Sequence, residues 1–331
     1  MSQPRVILSG ASHWHAPLYV DALARSDARV VGVVDDDSQI RSRTAAALAS
    51  TPFSHVGDAL AAEPADLVVV LDRHDRMPQA ATEAVAEGVP ILLEKPGASS
   101  LADLRSLRDQ AAAAGVAITV PFVHRRAPFA HYLLHASHPA SLSVTYIAGP
   151  PSRYPANGSP WMLDPVAAGG GVLVNLGVHF VDLARVLFGR SVSRVHATVS
   201  HVHGLGVEDF GSLVLEFGPS QVATIEVGYL YPTAPSTRHV SIRLAAADRF
   251  VSVAHDGAVR TTYADDRTTE AWVDLDSDSL FLPFVQAALA GCGSGFPGLP
   301  TMDDLVEAME VIHEAYPANP TTTEARSTWA T

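Results

Sequence analysis

The chain of 331 residues contains one cysteine, Cys292. A single thiol excludes an intrachain disulfide and any cysteine-rich zinc or iron–sulfur site. Cations are also scarce: 22 Lys and Arg stand against 35 Asp and Glu, a formal net charge of −13. Such a chain binds polyanions poorly, so neither nucleic acid nor an anionic membrane is an expected partner. Apolar runs are short, and Val68 to Leu71 is typical, far below the length of a membrane span. The opening MSQPRVILSG passes directly into a strand-like run, without a charged segment followed by a long apolar stretch. No signal peptide is therefore expected, and the expected location is cytoplasmic. Internal repeats and long biased segments are missing as well.

What is present is enough apolar material, 47% of residues, to fill two ordinary cores, and the length fits about two domains. Residues 1–122 alternate two periods. Short β-branched runs at Arg5–Ser9, Val30–Val34, Leu67–Leu71, Ile91–Leu93 and Ala117–Val120 are separated by Ala-rich helical stretches at Ala16–Arg25, Ser38–Ala49, Gln79–Glu87 and Leu101–Ala114. Apolar strands alternating with helices predict βαβ units around a doubly wound parallel sheet, a Rossmann-type α/β domain. Ser99 or Ser100 reads as a helix N-cap, and Gly88 and Gly115 as helix stops. Beyond Pro121 the pattern changes. Strand-like runs at Ser141–Ile147, Val192–His203, Ser212–Phe217, Val222–Tyr229, His239–Leu244, Arg249–Ala254 and Ala258–Tyr263 follow one another without intervening helices. Helical stretches lie around them at Ala127–His135, Val174–Phe188, Leu280–Ala290 and Met302–Ala315. Residues 123–331 therefore read as an α+β domain with a large, mostly antiparallel open sheet. The Pro/Gly-rich stretches at 149–160 and 291–300 read as loops, and the cleft between the domains is the default substrate site.

After the first strand comes Gly10-Ala11-Ser12-His13-Trp14-His15. Against the dinucleotide fingerprint G-x-G-x-x-G, only the first glycine is kept; Ser12 and His15 take the other two places. Ser12 is a mild change whose hydroxyl can reach a phosphate. His15 is a large one, which must point away from the sheet or hold the helix off it. The second strand ends in Asp35, twenty residues beyond His15, where a carboxylate can take the ribose hydroxyls of NAD and repel a 2′-phosphate. Asp36 and Asp37 add to that charge, so NAD is favoured over NADP. The competing reading is a solvated acidic turn. The pairs His13/His15 and His201/His203 have spacing suited to a metal, but no third ligand is evident and no metal is expected. His13 or His15 is read instead as touching cofactor or substrate.

The strand Ile91–Leu93 runs into Glu94-Lys95-Pro96. The carboxyl end of such a strand is where open α/β sheets place ligands, and a lysine there can exchange a proton with a carbinol oxygen. In the second domain, Gly169-Gly170-Gly171 precedes a helix carrying Asn175 and His179 on one face, four residues apart, with Asp182 as a candidate to orient the histidine ring or to tie the domain interface. Taken singly, each of these motifs also fits a bland reading: a strand-end charge pair, or a buried structural histidine.

In order along the chain, the βα turn with Asp35, the Glu94-Lys95-Pro96 strand end led by Ala81–Gly88 and Val89–Leu93, the run Gly169–Gly171 to His179, and Val207-Glu208-Asp209 before a strand resemble the Gfo/Idh/MocA oxidoreductase family over essentially the whole chain. The resemblance implies NAD(P)-dependent hydride transfer on a sugar, cyclitol or related polyol, with Lys95 and His179 as the catalytic pair and Asn175 orienting a hydroxyl. It implies cofactor contacts from Gly10, Ser12, His13, Trp14, His15, Asp35, Leu71, His74, Glu94 and Lys95. Substrate contacts are expected from His124, Arg125, Tyr154, Trp161, Asn175 and His179, with Arg126 a further cationic candidate and Arg125 equally readable as a hinge ion pair. A homodimer or homotetramer is expected. The chain departs from the family pattern at the two missing glycines, at Asn175 where an aspartate is usual, and at Met77 where a histidine is usual. Two other functions fit the same residues: a non-catalytic cofactor- or sugar-sensing protein, and a redox elimination that releases a glycosidic substituent without net consumption of NAD.

Overall fold

The computed structural model describes residues 3–233 and 238–316; the parts of the two assigned domains at 1–2 and 317–331 lie outside the described residues. The first sheet has six parallel strands: β1 (Arg5–Ser9), β2 (Arg29–Val34), β3 (Thr51–Phe53), β4 (Leu67–Val70), β5 (Ile91–Leu93) and β6 (Ile118–Thr119). Their order is β3-β2-β1-β4-β5-β6, so the direction of winding reverses between β1 and β4, where doubly wound sheets open a ligand crevice. Helices α1 (Ala16–Ala24), α2 (Ser38–Ala47), α3 (Val56–Ala62), α4 (Met77–Ala86) and α5 (Leu101–Ala114) cover both faces. Ser100 is the N-cap of α5 and accepts the Asp103 N–H at 3.1 Å, and Gly115 ends that helix at φ +67°. Strand β3 and helix α3 are additions to the predicted elements. Three residues including Pro52 at a sheet edge carry too little pattern to be read as a strand.

The second sheet has eight strands: β7 (Pro139–Ala148), β8 (Arg194–Ser200), β9 (Phe210–Glu216), β10 (Val222–Gly228), β11 (Arg238–Ala246), β12 (Arg249–Val253), β13 (Ala258–Tyr263) and β14 (Thr268–Trp272). Their order is β14-β13-β12-β11-β7-β10-β9-β8, antiparallel except for the β7–β10 pair. Along β7 the buried residues alternate, Leu142, Val144, Tyr146 and Ala148, so one sheet face meets the helices and the other faces outward. A π-helical turn (Leu173–Gly177) and α9 (Val178–Phe188) pack on the covered face, and the short helices α6 (Ala130–Leu134), α7 (Arg153–Ala156) and α8 (Pro165–Ala168) belong to the same domain. The helix expected from Val174 is thus a π turn that becomes α-helical at Val178.

Two features of the fold go beyond the sequence pattern. The stretch Pro165–Phe188 is long and apolar enough to cross a membrane, although 83% of its most apolar window is buried inside the protein, which marks a core helix. The division at residue 122 also separates the sheets but not the packing. Helix α10 (Phe281–Gly291) returns to the first domain, where Phe284, Val285 and Leu289 share a core with Tyr19 and Leu23 of α1 and with Leu8 and Val69. Helix α11 (Met302–Ala315) packs against both α5 and α9.

Candidate active site

Lys95 follows β5 directly and is 2% exposed; it is the only lysine in the chain. Its Nζ donates to Asn175 Oδ1 at 2.6 Å and to the Asn175 main-chain O at 2.9 Å. An ammonium can only donate, which fixes the amide so that Asn175 Nδ2 donates to Tyr154 Oη (2.6 Å) and Tyr229 Oη (2.9 Å). Asn175 lies in the π turn, a feature frequent at functional sites. Burial lowers the Lys95 pKa to about 8, with Arg153 pushing the same way and Glu94 opposing. The Lys95–Pro96 peptide is cis.

Glu94 is fully buried and turns behind the lysine. Its Oε2 accepts from Tyr19 Oη at 2.5 Å, and its Oε1 lies 3.2 Å from His15 Nδ1 without hydrogen-bond alignment. Burial pushes the Glu94 carboxyl up, but His15, Lys95 and Tyr19 together hold it below the usual range, so it is the fixed anion behind the cleft. The Glu94 side chain thus lies behind the cleft, supporting Lys95.

Lys95, Asn175, His124, His179, Trp14 and His15 face a cleft of about 260 Å³ between the two sheets, together with Arg153 and Arg238. The rings of His124 and His179 are 4.9 Å apart, and neither Nδ1 has a partner. Burial lowers His124 to about 3 and His179 well below its ordinary value, so both are neutral at pH 7 and each offers one donor and one acceptor. Asp182 does not orient His179. It takes Arg125, which donates Nε to Asp182 Oδ2 at 2.8 Å and also pairs with Asp304 at 2.8 Å. Arg125 is accordingly a corrected assignment: Asp182 of α9 and the Asp304 carboxylate of α11 hold it as an ion pair, and it does not line the cleft. Arg126 is exposed.

On the first domain, Gly10 has φ +87°, and a Cβ there would stand 2.1 Å from Asp72 N, so the turn needs a glycine. His13 N–H donates to Gly10 O at 3.0 Å and closes the turn. The Asp35 carboxylate is buried and accepts Ser12 N–H (2.7 Å) and Asp37 N–H (2.8 Å), joining the fingerprint turn to the end of β2. His15 meets the steric constraint by projecting away from the sheet, against Phe281 and toward Glu94. A second hollow, about 320 Å³, opens at the ends of β1, β2 and β4 beside Asp36, Asp72 and Arg76. Asp36 and Arg76 form an ion pair across it. Burial raises Asp72 to about 6, while Ser9 Oγ donates to it at 2.6 Å. The glycine cradle, the reversal point and this hollow fit a dinucleotide, which Gly10, Ser12, Asp35 and Lys95 would hold.

The remaining predicted residues sit behind these walls. His13 Nδ1 accepts the His15 N–H at 3.1 Å, which leaves the proton on an unpartnered, buried Nε2. His74 donates Nδ1 to Ala168 O (2.8 Å) across the domains, and its pKa is lowered by burial to about 3. Trp161 packs edge-on to His74, with centroids 4.8 Å apart. Tyr154 is fully buried behind Asn175, and Leu71 is core. Tyr154, Trp161 and the Leu71 side chain thus support the cleft rather than line it. His201 and His203 form a separate pair, with His203 bonded to Asp209 at 2.7 Å. Among the described residues, no group of three or more His, Cys, Asp or Glu side chains is placed to hold a metal. Sequence reasoning missed Arg153, Arg238 and Tyr229. The only signal for Arg153 was a cation in the acid-free stretch 149–160.

A Rossmann sheet, a second sheet roofing its crevice, and a buried lysine between them define a two-domain dinucleotide-dependent oxidoreductase architecture. Residues 5–122 match the family described as "Oxidoreductase family, NAD-binding Rossmann fold", and residues 140–246 match "GFO/IDH/MocA C-terminal domain". The chain belongs to the GFO/IDH/MocA oxidoreductase family, and its first domain is an NAD-binding Rossmann domain. It is 30% identical over 204 residues to D-xylose 1-dehydrogenase (NADP(+)) 2 of Haloferax volcanii, a match over 59% of this chain and 60% of that enzyme. Among the solved structures that share the fold are two bound to nicotinamide cofactors. One is an oxidoreductase from Agrobacterium radiobacter in complex with NAD+, L-tartaric acid and magnesium (TM-score 0.81, 15% identity, 95% of this chain and 96% of that one). The other is levoglucosan dehydrogenase in complex with NADH and levoglucosan (TM-score 0.78, 15% identity, 95% and 97%).

Proposed function

We propose that the protein is an NAD(P)-dependent dehydrogenase that oxidises a carbinol of a sugar-like or polyol substrate. The observation that carries this is the setting of Lys95: buried, facing the cleft, and lowered to about 8. Two of its N–H bonds are held by the two oxygens of Asn175. The third tetrahedral position, a lone pair in the neutral amine, is left to take the carbinol proton as the hydride departs. A nicotinamide, when bound, accepts that hydride. Neutral His124 and His179 align substrate hydroxyls, and Asn175 keeps the lysine in place. The xylose dehydrogenase relative, with its NADP specificity, and the levoglucosan dehydrogenase neighbour support a sugar-type substrate. A cleft lysine poised to change protonation favours turnover over the sensing alternative.

Replacing Lys95 by Met tests the reading. Turnover should fall by about 100-fold or more while NADH affinity stays within a few-fold, measured by initial rates and nicotinamide fluorescence. Undiminished turnover would remove Lys95 from the mechanism.

A further inference from the structure

Arg153 has no place in the reaction as just described, yet it reaches the cleft from the first turn of α7. It is 8% exposed and the only buried arginine among the described residues. No described carboxylate pairs with it, in contrast to Arg125 and Arg238, which hold Asp182 and Asp276. Its guanidinium is caged by rings, with Cζ 4.8 Å from the Tyr154 centroid, 5.1 Å from Tyr229 and 6.0 Å from Trp14. Nη2 donates to Tyr154 Oη at 2.9 Å, while Nε, also buried, has no partner. The rings satisfy the faces of the cation and leave an in-plane donor unused, the edge that matches a planar anion. A buried guanidinium without a counter-ion is costly, and a bound anion removes the cost.

The rest of the cleft agrees. Lys95 is a second cation close enough to interact electrostatically with Arg153. The histidines facing the cleft are neutral, and the acid among its lining residues, Asp278, lies 3.8 Å from Arg238. Asn175 puts a neutral amide where the family commonly has a carboxylate that would repel an anion. A chain of net charge −13 thus presents a cationic interior to its substrate.

We propose that Arg153 is the carboxylate-binding residue of this site and that the substrate is a polyhydroxy acid, such as an aldonate or uronate, rather than a neutral sugar. This rests on the dehydrogenase reading for its chemistry. The substrate C–H bond breaks as a hydride to NAD(P)+, the carbinol O–H proton passes to Lys95, a ketone forms, and the carboxylate is unchanged.

The test uses the full chain in calorimetric titrations with D-gluconate, D-galactonate and D-glucuronate against D-glucose, D-galactose and myo-inositol, with and without NADH. D-Glucose 6-phosphate serves as the phosphate arm. The acids should bind at least about thirty-fold more tightly than the neutral compounds, as a desolvated charge pair allows. Arg153→Gln should erase that preference with NADH affinity unchanged. Arg153→Lys, which keeps the charge and loses the planar fork, should restore part of it and guards against a folding defect. Equal binding of acids and neutral sugars, no binding of any acid, or tighter binding of the phosphate overturns the proposal. So does a parallel loss of NADH affinity in Arg153→Gln, which would assign the residue to the cofactor. Acid binding that depends on Arg153 in a protein that binds no NADH and turns nothing over would instead sink the dehydrogenase reading and leave the carboxylate site standing.

Discussion

Asn175 does at one position what an aspartate would do differently. As an amide it holds the Lys95 amine in place without supplying charge, and burial leaves the lysine pKa at about 8. Activity in the oxidation direction should therefore rise with pH to a plateau above about 8. Asn175→Asp would set a carboxylate in hydrogen-bond contact with Nζ and favour the ammonium, moving that limb up by about 1–3 pH units, the usual effect of an adjacent opposite charge. A pH profile of kcat/KM decides it, and an unmoved limb would mean another group's proton is being titrated. Single residues were the harder part to read from sequence. Lys95, Asn175 and His179 were readable as candidates because motif and spacing mark them, whereas His124 entered only as a polar residue just past the domain junction. Arg153 was not, because its importance comes from missing counter-charges, which only the folded surroundings reveal. Arg125 and Asp182 were ambiguous for the same reason: a charged residue near a domain junction does not name its partner.

At the scale of elements, the helix carrying Asn175 and His179 is fixed at its start by Glu208. The Glu208 carboxylate accepts Gly171 N–H at 2.8 Å, Leu173 N–H at 3.0 Å and Tyr316 Oη at 2.7 Å. Glu208→Ala leaves two buried amides unsatisfied, at about 1–3 kcal/mol each. A Cβ at Gly171 would stand 2.0 Å from Glu208 O, whereas one at Gly293 meets nothing within 4 Å. Differential scanning calorimetry should thus show Gly171→Ala and Glu208→Ala melting a few degrees lower and Gly293→Ala close to the parent, taking a scale of about 1–2 °C per kcal/mol at this chain length. Most elements announce themselves: β1, β4 and β5 as continuous apolar runs, β7 and β10 as alternating ones. Strand β14 does not, because every residue of Thr268–Trp272 is exposed and only its pairing with β13 makes it a strand. Where α10 packs was equally silent, since its apolar face fits either domain.

The whole molecule keeps five buried histidines neutral. His13, His15, His74, His124 and His179 are all lowered, chiefly by burial. Their folded pKa values lie below the unfolded value of about 6.5, so as pH falls below that point the unfolded chain binds more protons and stability is lost. Asp72 and Asp182, raised to about 6, work the other way between roughly pH 4 and 6. Five groups outweigh two, so the melting temperature should fall steadily from pH 7 to pH 5; a flat curve would mean that the histidines are not held neutral. The census of cations has a separate consequence. With Lys95 the sole lysine among 22 Lys and Arg, the other 21 of these cations are arginines. Protein grown on lysine carrying nitrogen-15 in the side chain would therefore show one ammonium resonance. Reagents that modify amines would find, besides the chain's α-amino group, a single interior nitrogen whose reactivity reports how open the cleft is.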